Sequence, residues 1–135
     1  MKRMSLQEYR KIRKPKRKSK YGNKKVELEG HEFDSIAESK YYQQLKLREK
    51  AGDILFFRLQ PRYMLQEAFE KNGVKHRRID YIADFEIHHK DGSIETIDVK
   101  GHLTDVFRLK EKLFNKIYPH KLTLVKYENG RFVEL

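Results

Sequence analysis

The chain has no cysteine. That absence excludes disulfides, thiolate metal sites and a cysteine nucleophile, and it fits a reducing interior. It also lacks any stretch approaching the roughly 18 consecutive apolar residues of a membrane span. No short apolar run follows the basic start, so no secretory leader is expected. A length of 135 residues argues for one domain.

Acidic residues are nearly missing from the first segment. Residues 1–25 hold twelve of the 31 Lys and Arg side chains but only Glu8 of the 20 acids. The other 110 residues then carry 19 of each sign, so the whole formal excess of +11 sits at the N-terminal end. Residues 1–21 read as a flexible basic arm and residues 22–135 as a single domain. Arg13, Lys14, Lys16, Arg17, Lys18 and Lys20 suit phosphates, through contacts that release counterions and carry no sequence information. A solubilising tail is the duller alternative. A membrane surface is disfavoured, because only Met4, Leu6, Tyr9 and Ile12 could anchor residues 1–20.

Periodicity then orders the elements. Residues 26–28 and 31–33 read as short strands around the turn Glu29-Gly30. Ile36, Ala37, Tyr41, Leu45 and Leu47 recur at helical spacing, with Gly52 as the stop. A strand is expected over about residues 63–69 after Pro61, a long strand over 77–89, and its return over 93–100. A second helix over 106–118 presents Phe107, Leu109, Leu113, Phe114 and Ile117. Strands at 122–125 and 131–133 close the chain. This is an α/β (α+β) pattern, a mixed central sheet flanked by helices.

The register of the turn at Lys90-Asp91-Gly92 decides the chemistry. A two-residue loop would pair Asp84 with Val99 and send Asp98 to the other face. A three-residue loop with Gly92 left-handed sets His89 against Ser93, Asp84 against Asp98 and Ile82 against Lys100. The second choice gathers Ala83, Phe85, Ile87, Ile97 and Val99 on a face that can bury. Asp84, Glu86, Asp98 and Lys100 lie on the other. Directly opposed carboxylates repel each other, so a proton or a cation is expected between them. Glu86, one step along the same face, reads as a solvated edge residue, with a supporting place beside the carboxylates as the alternative. His88 and His89 point to opposite faces of a strand and cannot share one ion.

Ala83-Asp84, then Ile97-Asp98-Val99-Lys100-Gly101, resembles the PD-(D/E)xK nuclease superfamily, with Glu38 on an upstream helix completing the pattern. Gly30-His31-Glu32-Phe33-Asp34-Ser35 and Leu59-Gln60-Pro61-Arg62-Tyr63 are similar to a phage-borne, Holliday junction resolvase-like branch. Ala83 stands where that motif has proline. The resemblance implies a restriction-endonuclease-like core and a metal-dependent endodeoxyribonuclease. Asp84 and Asp98 would hold Mg²⁺, with Mn²⁺ able to substitute. The Val99 carbonyl and Glu38, directly or through water, would help. Lys100 would orient the attacking water. Implied as well are branched or duplex DNA as partner, a homodimer, a phage or prophage origin and a bacterial cytoplasm. Ser35 to Glu38 is also a capping box, so Glu38 has a rival role. Gln60 and Lys110 are further candidates for DNA contact. A non-catalytic nucleic-acid binder, and an exonuclease or restriction-type enzyme on the same fold, remain the competing functions.

Overall fold

The computed structural model describes residues 25–135. The basic positions Arg13, Lys14, Lys16, Arg17, Lys18 and Lys20 lie outside the described residues. The chain divides into two units, up to residue 36 and from 37 to 135. In the first unit, β1 (Val26–Leu28) and β2 (His31–Phe33) form an antiparallel hairpin. Glu29 and Gly30 both have positive φ, 52° and 80°, the backbone of a two-residue turn matched to strand twist.

The second unit is a mixed α+β structure. Helix α1 (Ile36–Lys50) runs from the unit boundary. It is followed by β3 (Phe56–Leu59), β4 (Arg62–Gln66), β5 (Phe69–Lys71), β6 (Val74–His76), β7 (Ile79–Ile82), β8 (Phe85–His88) and β9 (Ile94–Val99). Helix α2 (Asp105–Ile117), β10 (Lys121–Glu128) and β11 (Arg131–Glu134) complete it. A five-stranded sheet has the order β11-β10-β9-β8-β3. Among the described strands only β9 and β10 pair in parallel, and α2 makes the crossover that such a pair requires. Thr104 caps α2 by accepting a 3.0 Å bond from the Phe107 N–H.

The long strand expected over 77–89 is two strands, and the strand expected over 63–69 ends at Gln66. The physical reason is a kink shared by both sides of one ribbon. β3 pairs with β8 (Leu59 opposite Phe85), and β4 pairs with β7 (Arg62 opposite Ile82), in a single continuous register. Between them the Gln60 N–H donates to the Asp84 carbonyl at 2.9 Å, and the Ala83 N–H donates to the Pro61 carbonyl at 3.1 Å. Gln60 has φ 48°, left-handed for a residue with a side chain, and this bends the ribbon. Ile82 therefore faces Arg62 rather than Lys100. A bulge between Met64 and Gln66 follows, and β5 and β6 continue to the Asn72-Gly73 tip.

Each face of the sheet has its own cover. On one, the α1 aromatics Tyr41 and Tyr42 meet Phe85, Phe57 and Phe132. On the other, Phe107 and Phe114 of α2 pack with Tyr63, Leu65, Tyr81 and Ala83. Helix α1 hides Glu38 and Ser39 rather than Ile36 and Leu47, which are exposed. Leu109 and Ile117 of α2 are likewise exposed, against the expected apolar stripe. No helix among the described residues is long and apolar enough to cross a membrane. Phe114 is 0% exposed. Phe114→Ala is expected to cost about 3–5 kcal/mol, while Leu47→Ala stays within about 0.5 kcal/mol, measured by urea unfolding.

Candidate active site

The β8–β9 hairpin has the three-residue loop. His88 faces Ile94, the His89 N–H bonds the Ser93 carbonyl at 2.9 Å, and Gly92 has φ 88°. Asp91 locks the loop by accepting from the Ser93 N–H and hydroxyl at 2.9 and 2.6 Å. Phe85 then opposes Ile97, the last pair of that ladder, and the expected pairing of Asp84 with Asp98 lies beyond it. The Asp84 N–H reaches the Ile97 carbonyl at 3.2 Å. Its carboxylate Oδ2 accepts from the Val99 N–H at 2.7 Å. Glu38, third residue of α1 and only 5% exposed, stands close enough to Asp84 to raise its carboxyl.

Asp98 is 3% exposed and held on both oxygens. Oδ2 accepts a very short bond from the Tyr81 hydroxyl. Oδ1 lies 3.2 Å from Lys100 Nζ, which also stands 4.1 Å above the Phe107 ring. That ring and that carboxylate fix the ammonium from two sides. The four residues Glu38, Asp84, Asp98 and Lys100, with the backbone of Val99, are therefore one cluster.

Its charge does not balance. Three carboxylates face one ammonium. Two like charges about 4 Å apart repel by on the order of 4 kcal/mol even at an effective dielectric constant of 20. Burial first, then Asp98 and Glu38, pushes the Asp84 carboxyl up to about 10, against the Val99 N–H that favours its charged form. With its carboxyl raised so far, Asp84 holds a proton at neutral pH. Burial and then the Asp98 charge push the Tyr81 hydroxyl far above its usual range, so it stays a donor. Among the described residues no group of three or more His, Asp or Glu stands ready-made as a metal cage. The oxygens of Asp84 and Asp98 are engaged with Tyr81, Lys100 and Val99.

Other expected residues fall elsewhere. Gln60 touches the site only through its backbone, and its side chain is exposed. Lys110 is half-buried on α2, with no ion pair among the described residues. Glu86 is no solvated edge residue. It accepts from the Tyr63 hydroxyl at 2.6 Å and lies 2.7 Å from His88 Nε2. Burial would raise its carboxyl, but the Tyr63 and His88 bonds win and lower it. Beyond it, Tyr63 meets Thr96 at 2.7 Å and Thr96 meets His120 at 2.8 Å. With Tyr63 donating to Glu86, Thr96 donates to Tyr63 and accepts from His120, so each buried atom is satisfied. Sequence reasoning missed Tyr81 and this chain. Strand alternation signals that Tyr63, Leu65, Tyr81 and Ala83 share a buried face, but nothing signals the reach of Tyr81 to Asp98.

The raised Asp84 carboxyl fixes a pH dependence. It binds a proton more tightly in the folded chain than in the unfolded one. Its stabilisation is complete below about pH 4 and drains away as pH rises towards about 10. In EDTA, the Tm of the wild-type chain should fall between pH 7 and 9. Asp84→Asn should flatten that fall and raise Tm at pH 8 by roughly 5 °C. An unchanged or lower Tm in the variant by differential scanning fluorimetry would count against the buried-charge assignment.

The comparisons with known proteins are sparse. No curated protein matches the chain. Among solved structures, the crystal structure of SSO0001 is similar, at 16% identity and a TM-score of 0.43. The match covers 72% of this chain and 48% of that one, so this chain spans about half its length. A family model described as "Protein of unknown function (DUF1064)" matches residues 18–129, most of the sequence, and the chain belongs to that family.

Proposed function

We propose that this chain is a metal-dependent endodeoxyribonuclease with a restriction-endonuclease-like core, of the PD-(D/E)xK type that its motifs resemble. The observation that carries this reading is the convergence of Glu38, Asp84 and Asp98 beside Lys100 at the kink of one ribbon. Structural carboxylates avoid such company, and perturbed ionisable groups cluster where chemistry occurs.

The donor set fits a hard divalent cation, because it offers carboxylate oxygens and no sulfur. Asp84, Asp98, the Val99 carbonyl and Glu38 would hold Mg²⁺ or Mn²⁺. When bound, the ion would make a water more acidic and offset phosphate charge. The protein's own groups do the rest. With an ion bound, Asp84 would release its proton to solvent and, with Glu38, would present carboxylate acceptors. Tyr81 keeps one oxygen of Asp98 fixed, so the other stays aimed at Lys100. Lys100 Nζ, steadied over Phe107, donates to the water or to a phosphate oxygen and answers the negative charge that builds there. The basic arm and the +11 excess draw the polyanion in.

Within this reading the substrate is branched or duplex DNA and the enzyme is Holliday junction resolvase-like, phage- or prophage-encoded and working in a bacterial cytoplasm. A homodimer would supply two symmetric cuts. The competing reading is a nucleic-acid binder without catalysis. Branched, flapped, linear duplex and single-stranded DNAs, incubated with Mg²⁺ or Mn²⁺, separate the two. Wild type should cut at least one. Asp98→Asn and Lys100→Ala should each lose about 100-fold or more in rate while DNA affinity stays within about threefold. Full activity of Asp98→Asn would end the assignment.

A further inference from the structure

The ribbon that carries Asp84 does not stop at the core. From Gln66 to Ile79, all fourteen residues are exposed. This distal part includes β5, β6 and the Asn72-Gly73 tip, whose turn residues have φ 52° and 77°. Its apolar side chains are unburied: Phe69 is 46% and Val74 55% exposed. Phe69 and His76 stack on one another at 4.5 Å and 15°. Lys71 shares their face, since Phe69 opposes His76 and Lys71 opposes Val74. Lys75, Arg77 and Arg78 add positive charge against Glu67 and Glu70. Arg78 is taken by Asp80 at 2.9 Å, whereas Lys71, Lys75 and Arg77 have no ion pair among the described residues.

The geometry points to the ribbon tip as a duplex-binding arm that enters a nucleic-acid groove. The choice of partner rests on the nuclease reading. The groove fit rests on dimensions and charge. Two strands about 4.8 Å apart, with side chains, fit a major groove about 12 Å wide, which admits a two-stranded ribbon. Stacked Phe69–His76 and Val74 offer apolar contact to base edges and sugars. Lys71, Lys75 and Arg77 reach phosphates. An acidic protein would match the charge but would leave the narrow, two-sided shape unused.

The ribbon also sets a distance. Gly73 and Asp84 are eleven residues apart along one continuous arm. At about 3.3 Å per residue that is at most roughly 36 Å, about one turn of B-DNA. A duplex held at the tip can therefore be cut at the kink, at most about one turn away.

The test uses the full chain in EDTA, with a 30-base-pair duplex and the matching single strand followed by fluorescence anisotropy across salt concentrations. Lys71→Glu/Lys75→Glu/Arg77→Glu should weaken duplex binding by about tenfold or more. It should also lower the salt slope by about 2–3, at roughly 0.9 per phosphate lost. Phe69→Ser/Val74→Ser should weaken duplex binding about threefold with the slope unchanged. Wild-type affinity and slope in the charge variant would overturn the proposal. So would an equal loss on duplex and single strand. Hydrolysis of bis(p-nitrophenyl) phosphate with Mn²⁺, a substrate too small for any groove, should be the same in both variants and wild type. Absence of that hydrolysis in wild type would strike the nuclease reading and leave the binding comparison standing.

Discussion

The crowding of the buried Asp84 carboxyl by Asp98 and Glu38 is the constraint on which the account turns. It exists because a helix, a kinked ribbon and a hairpin deliver three carboxylates to one buried place. Lys100 neutralises one of them, at Asp98. The remaining pair must share a proton or face a cation, because mutual repulsion of ionised acids would cost kilocalories. Few folds keep such an arrangement for stability alone. Replacing it with apolar residues of the same size would be easier on the fold.

The surroundings make the cluster rigid. The left-handed backbone of Gln60 bends the ribbon where Ala83 and Asp84 must leave β7 and join β8. Tyr81 reaches from the α2-facing core to Asp98, and Phe107 supports Lys100 from the same core. The chain from His120 through Thr96 and Tyr63 to Glu86 fills the adjoining stretch of that face without an orphaned polar atom. The core beneath the cluster is thus partly polar, and its hydrogen bonds fix orientation where apolar packing would only fill space.

Much of this was legible in the sequence. Glycine at the third loop position gave the hairpin register as far as the Phe85–Ile97 pair, because side chains alternate with a period of two, whereas the expected pairing of Asp84 with Asp98 lies past the end of that ladder. The turn pair Glu29-Gly30 was plain for a similarly local reason. The kink was not legible. Periodicity runs straight through residues 77–89, and only pairing with a distant strand reveals where the ribbon bends. Helix α1 misled because burial there follows the site, not apolarity: Glu38 goes in and Leu47 stays out. Glu86 misled because its partners, Tyr63 and His88, include one 23 residues away.

The most direct test follows the proton. Isothermal titration of Mn²⁺ into the wild-type chain at pH 8, in buffers of different ionisation enthalpy, reports protons released per ion bound. If an ion takes the place of the proton that Asp84 holds, about one proton should be released for each ion bound, and Asp84→Asn should release none. Binding of Mn²⁺ without proton release, or no binding at saturating ion, would contradict the account.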